Sequence, residues 1–112
     1  MNTKEIAQEI LNQLKITATM PVIWSWGFNT PHYLSEEKMG DRYRLGGLQF
    51  KVQGRLFKGV VRVNLMADDT YTIQLGKITK GAFKASKEIA NQYCDQFAET
   101  IDKLVETNSV IL

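Results

Sequence analysis

Few side chains in this sequence are placed to do covalent or metal chemistry. The only histidine, His32, has no cysteine or second histidine nearby and so lacks the company that a zinc site needs. The only cysteine, Cys94, excludes an intrachain disulfide and falls on the apolar side of a predicted helix, where a thiol acts as a small buried hydrophobe. Asp95 and Glu99 stand one helical turn apart, but carboxylates on an exposed helical face are ordinarily just solvated. No nucleophile with a base is readable, and Gly46-Gly47 matches neither a phosphate-binding loop nor a dinucleotide fingerprint. Neither an enzyme nor a cofactor or metal is expected.

What the sequence does offer is electrostatic chemistry. Residues 42–87 carry a net charge of +8, while residues 1–41 carry −2 and residues 88–112 carry −4. The total of +2 thus conceals a basic centre between acidic ends, a distribution that attracts anionic partners. Within that centre Lys51, Lys58 and Arg62 are candidates for phosphate contact, with Arg42, Arg44 and Arg55 at the rim. Gln49, Asn64, Thr72 and Gln74 offer hydrogen bonds beside them.

These residues are positioned by the alternation between Leu48 and Leu75. A two-residue hairpin at Gln53-Gly54-Arg55-Leu56, with Gly54 supplying the positive φ of a type II′ turn, sets Val52 opposite Phe57, Phe50 opposite Gly59 and Leu48 opposite Val61. A three-residue loop, Ala67-Asp68-Asp69, pairs Leu65 with Tyr71, Val63 with Ile73 and Val61 with Leu75. The two turns agree on one apolar face, and a slip of one residue at either would scatter it. The opposite face is polar and is expected in water, with Lys51 directly across from Lys58, a like-charge pair that either splays into water or marks where an anion sits.

The flanks supply cover for the apolar face. Asn2 and Glu5 form a helix start, and Ile6, Ile10, Leu11 and Leu14 recur at helical spacing over about three turns. Residues 22–28 alternate as a first strand, with Val22, Trp24, Trp26 and Phe28 facing the core. Residues 29–41 read as a long loop. Ser86 caps a C-terminal helix of about five turns, whose stripe includes Ile89, Tyr93, Phe97, Ile101 and Val105, with Asn108 ending it. Val110, Ile111 and Leu112 are too apolar for a free tail and are expected to dock on the core, a sheet edge or a second subunit, which would make a homodimer.

The predicted architecture is a single α+β domain over residues 1–112: a four-stranded antiparallel meander with an N-terminal and a longer C-terminal amphipathic helix on one face, in the order α-β-β-β-β-α. Four strands followed by a long helix resemble the element order of small single-strand nucleic-acid-binding domains such as the PUR-repeat and whirly-like folds, over about residues 20 to 107. The function expected is that of a non-enzymatic binding protein that lays single-stranded nucleic acid across the open sheet face. A module that binds another protein is the alternative. The first residues lack a signal-peptide pattern and no stretch approaches the length of a membrane span, so a cytoplasmic protein with no membrane contact is expected.

Overall fold

A computed structural model of the chain describes residues 2–18 and 20–105. The expectations for Asn108 and for residues 110–112 lie outside them. The fold is α+β, with helices at both ends of an antiparallel sheet of six strands. In chain order the elements are α1 (Thr3–Ala18), α2 (Met20–Ser25), β1 (Asn29–Leu34), β2 (Glu37–Met39), β3 (Arg42–Gln53), β4 (Lys58–Met66), β5 (Tyr71–Thr79), β6 (Ala82–Gln92) and α3 (Phe97–Val105). The sheet runs β1-β3-β4-β5-β6, and β2 pairs with the first part of β3. Among the described residues no helix is long and apolar enough to cross a membrane.

α1 starts where its capping chemistry predicts. Asn2 Oδ1 accepts from the Glu5 backbone N–H at 2.9 Å, and Glu5 Oε1 accepts in return from the Asn2 N–H at 3.3 Å, so two otherwise orphaned donors are satisfied. Its buried side is Ile6, Ala7, Ile10 and Leu14.

The predicted first strand at residues 22–28 is instead mostly the short helix α2. Pro21 has no N–H to lose in a first helical turn, and the Ser25 hydroxyl donates back to the Val22 carbonyl. Helical spacing separates the two tryptophans that a strand would have aligned: Trp24 is 69 % exposed and Trp26 is 0 % exposed. Trp26 lies parallel to Phe50 and donates its indole N–H to Asp102 of α3 at 2.8 Å.

Residues 29–41 are not a loop but the strands β1 and β2, both paired with β3. β1 keeps a proline, Pro31, because it is an edge strand with an irregularity between Asn29 and His32. β2 turns into β3 through Gly40-Asp41, with Gly40 at φ 66°, so the type II′ geometry foreseen at Gly54 occurs here.

The β4–β5 register is as predicted, Leu65 opposite Tyr71, Val63 opposite Ile73 and Val61 opposite Leu75. The β3–β4 register differs by two residues: Val52 faces Gly59, Phe50 faces Val61 and Leu48 faces Val63. The turn is longer because it is built around α3. Gly54 N–H donates to the Phe57 carbonyl at 3.0 Å, while the N–H groups of Leu56 and Phe57 donate to the Val105 carbonyl at 2.8 and 3.3 Å. Gly54 is required for that approach, since a Cβ there would overlap the Val105 carbonyl, and not for a positive φ. A shift of two residues preserves which face each side chain takes. Leu48, Phe50, Val52, Val61, Val63, Ile73 and Leu75 are accordingly buried against the helices, with Phe57, Leu65 and Tyr71 packed at their margin.

The C-terminal helix is shorter than predicted, because residues 82–92 are β6. Lys80 and Gly81 both have positive φ, 54° and 79°, which makes a type I′ hairpin between β5 and β6. Pairing with β5 overrides the helical preference of Ala, Lys and Glu in this segment. Ser86 caps nothing; its hydroxyl donates across the sheet to the Leu75 carbonyl. Ile89 sits opposite Ile73, and Cys94, in the connection to α3, is exposed rather than buried.

Candidate binding cup on the polar sheet face

Pairing registers place Gln49, Arg62, Gln74 and Glu88 in one cross-strand row, one residue from each of β3, β4, β5 and β6. Paired residues of an antiparallel sheet point to the same side, so the row crosses the face away from the helices. Arg62 Nε donates to Gln49 Oε1 at 2.8 Å, and Gln74 Nε2 donates to Glu88 Oε1 at 3.0 Å. Asn64, from the neighbouring row, donates through Nδ2 to Gln74 Oε1 at 3.1 Å and to the Thr72 carbonyl at 2.9 Å.

This face is not the flat, open surface that the sequence predicts. Arg44, Asn64, Thr72 and Gln74 are buried on it, beside Val60 and Met66. Side chains from β2 to β6 bound a cavity of about 320 Å³, lined by Glu37, Met39, Arg44, Arg62, Gln74, Phe83, Ala85 and Glu88. A cavity lined from five strands on one face means that the sheet curls into a cup. In the next row Val60, Gly76 and Ala85 follow one another across β4, β5 and β6. Gly76 is needed there, because a Cβ would overlap the Lys84 carbonyl and the Ala85 backbone.

Arg44 reaches the cup through a bulge. One extra residue in β3 between Arg44 and Gly46 reverses the alternation, so Arg44 lies opposite Met66 and on the same side as Asn64. Each of its guanidinium nitrogens makes a hydrogen bond: Nε donates to the Ser35 carbonyl at 2.9 Å, Nη1 to Asn64 Oδ1 at 3.0 Å and Nη2 to Glu37 Oε1 at 3.0 Å. Burial lowers the Arg44 pKa from its ordinary value and the Glu37 carboxylate opposes that shift, yet an arginine stays charged across the working range.

Arg62 is differently placed. Phe83 covers its guanidinium, with Cζ 4.2 Å from the ring centroid, and Gln49 holds Nε. Among the described residues it forms no salt bridge, and its two terminal nitrogens make no hydrogen bond. Burial and then the like charge of Arg44 lower its pKa, with Glu37 acting the other way. A cation is thus oriented in the cup with its hydrogen-bonding edge unused. Thr72 Oγ1 is also buried without a partner among the described residues.

The remaining basic candidates lie outside the lining of the cup. Lys51 and Lys58 are exposed on the same face but are not opposite one another; Lys51 faces Val60 and Lys58 faces Gln53. The like-charge pair that does exist is Lys77 opposite Lys84. Arg55 is exposed and borders, with Lys58 and Lys77, a depression at the hairpin end. Arg42 is half-buried at the far end, and its Nη2 is buried without a hydrogen bond among the described residues. The cup therefore unites Arg44 and Arg62 with Gln74, and leaves Lys51 and Lys58 exposed elsewhere on the same face, with Arg55 beside Lys58 at the hairpin end. Phe83, Glu88 and Glu37 were missed from sequence because β6 and β2 were; the glycine turns Gly40-Asp41 and Lys80-Gly81 were the available signals.

The rest of the surface offers less. Asp95, Glu99 and Asp102 line an acidic groove beside α3, and His32 borders an apolar cleft between α1 and β1. Among the described residues no three His, Cys, Asp or Glu side chains gather to hold a metal ion. Comparison with known families, with curated proteins and with solved structures finds no match to this chain.

Proposed function

We propose that this chain is a non-enzymatic binding protein that takes single-stranded nucleic acid across the polar face, with phosphates on the exposed cations Lys51, Lys58 and Arg55. The observation that carries this reading is Arg62: a cation oriented by Gln49 and Phe83, with no salt bridge among the described residues, on a face that also exposes Lys51 and Lys58. Arg44 takes a supporting part, since its donors are engaged within the fold. Phe83 also supplies an aromatic ring on this face, as single-strand platforms require. Titration of a labelled mixed-sequence single strand tests the proposal: wild type binds it, and Lys51→Gln/Lys58→Gln binds more weakly while remaining folded.

A second reading rests on another surface. Trp24 is 69 % and Ile16 73 % exposed on the helical side, and bulky apolar groups in water favour a protein partner. On that reading Trp24→Ser, and not the lysine changes, abolishes binding to the physiological partner.

A further inference from the structure

We infer that the cup reads a guanine base, an inference that rests on the single-strand reading for its setting and on the cup alone for its chemistry. A phosphate is a poor occupant. It would satisfy Arg62 but would also meet the carboxylates of Glu37 and Glu88, which line the same cavity. An uncharged ligand with acceptors on one edge and donors on the next suits both signs of charge.

The donor and acceptor inventory narrows the ligand further. On one side the cup presents Arg62 Nη1 and Nη2, two parallel donors whose direction is set because Phe83 covers the guanidinium and Gln49 holds Nε. On the other side stands Glu88, two strand spacings away in the same row, with Oε1 taking a bond from Gln74 and Oε2 left as an acceptor. Neighbouring strands lie about 4.8 Å apart, so the two backbones are separated by roughly 10 Å, a span that two long side chains can close around one planar ring. Gln74 between them has its oxygen engaged by Asn64 and its nitrogen by Glu88, which leaves the ends of the row to define the preference.

Guanine matches this pattern on both edges. Its O6 and N7 are adjacent acceptors for a bidentate guanidinium, and its N1–H and N2–H groups are adjacent donors for a carboxylate. Adenine and cytosine each offer a single exocyclic donor group, and the N3–H of thymine or uracil is flanked by two carbonyls that a carboxylate repels. The cavity of about 320 Å³, with the small Ala85 in its lining, gives a ring room to enter.

The test uses oligothymidine strands that carry one central guanine, adenine, cytosine, hypoxanthine or 7-deazaguanine, with guanosine monophosphate as a separate small probe followed by NMR. Wild type is expected to favour the guanine strand over the adenine, cytosine and all-thymine strands by roughly tenfold or more. Hypoxanthine, without N2, and 7-deazaguanine, without N7, each lose much of that preference. Glu88→Gln keeps an acceptor for Gln74 but places a donor where a carboxylate oxygen stood, so the ratio of guanine-strand to all-thymine-strand affinity falls toward one. Arg62→Lys removes the bidentate edge at constant charge and loses sensitivity to N7. Binding of all strands with equal affinity, or preference for another base, overturns the guanine assignment and leaves the single-strand reading standing. Guanosine monophosphate shifting the Arg62 and Phe83 signals in wild type but not in Glu88→Gln, with no strand bound, supports the cup and overturns the single-strand reading. No response to any probe overturns both.

Discussion

Arg44 Nη1 donates to Asn64 Oδ1 at 3.0 Å beneath the cup, and both residues are buried. The contact joins a charge held inside the fold to the amide network that orders Gln74 and, through it, Glu88. Truncating Asn64 strands the Arg44 donor and the Thr72 carbonyl together. Asn64→Ala is expected to cost about 2–4 kcal/mol, at one to a few kcal/mol for each buried polar group left unpaired, read by chemical denaturation.

The Arg44–Glu37 pair is asymmetric, with side-chain exposures of 4 % and 58 %. Removing the exposed member leaves a buried cation short of its counter-charge, whereas removing the buried member leaves a carboxylate that water can solvate but strands Asn64 Oδ1 and the Ser35 carbonyl. Glu37→Ala should therefore destabilise by about 1–2 kcal/mol after allowance for the partial exposure of Glu37, and Arg44→Met by at least as much. No loss of stability in denaturant melts of Glu37→Ala would contradict the role of the pair.

The hairpin between β3 and β4 and the last described turn of α3 hold one another, because the Val105 carbonyl accepts from Leu56 and Phe57 while Gly54 leaves room for it. Gly54→Ala should cost about 2 kcal/mol or more, in the range of overpacked sites. A two-residue type II′ turn would lose stability through backbone strain instead; comparison of Gly54→Ala with Gly54→Asn, which tolerates positive φ better, separates the causes. Asn as harmful as Ala is the expected result.

Cys94 is exposed between β6 and α3. It should react with a thiol reagent in the native protein as fast as in the unfolded chain, and Cys94→Ser should change stability by less than about 0.5 kcal/mol. Protection of the thiol until unfolding would contradict the placement.

Asp68 Oδ1 accepts from the Thr70 hydroxyl at 2.6 Å and from the Thr70 N–H at 3.1 Å, and these bonds hold its carboxyl below the usual aspartate value. Because the folded value is depressed, the stabilisation is present above the unfolded pKa and is lost as pH falls through the folded one. Side-chain NMR titration should give Asp68 a lower midpoint in wild type than in Thr70→Val.

The segment from Leu48 to Leu75 was legible because strict alternation assigns faces, and faces survive an error of two residues in a turn; Phe50 and Val61 are buried in either register. Elsewhere local signals pointed the wrong way. Residues 22–28 alternate like a strand, yet Pro21 and the Ser25 hydroxyl favour a helical turn, and the buried Trp26 fixes it. Residues 82–92 have the composition of a helix, but an open edge on β5 and the Lys80-Gly81 turn draw them into the sheet. Of the candidate site, only the face on which Lys51, Lys58 and Arg62 lie was readable, from the alternation. Its curvature was not, because the bulge that turns Arg44 inward and the strand that carries Phe83 and Glu88 arise from tertiary pairing.

The central claim, a phosphate track on the polar sheet face, is tested most directly by the salt dependence of single-strand binding. Affinities of wild type and Lys51→Gln/Lys58→Gln for one labelled strand are measured over a series of salt concentrations, with circular dichroism to establish that both proteins are folded. Wild type should bind with log affinity falling linearly against log salt, and the variant should bind more weakly with a slope shallower by roughly 0.7 for each lysine removed. No binding by wild type, or the same affinity and slope in both proteins, would contradict the account.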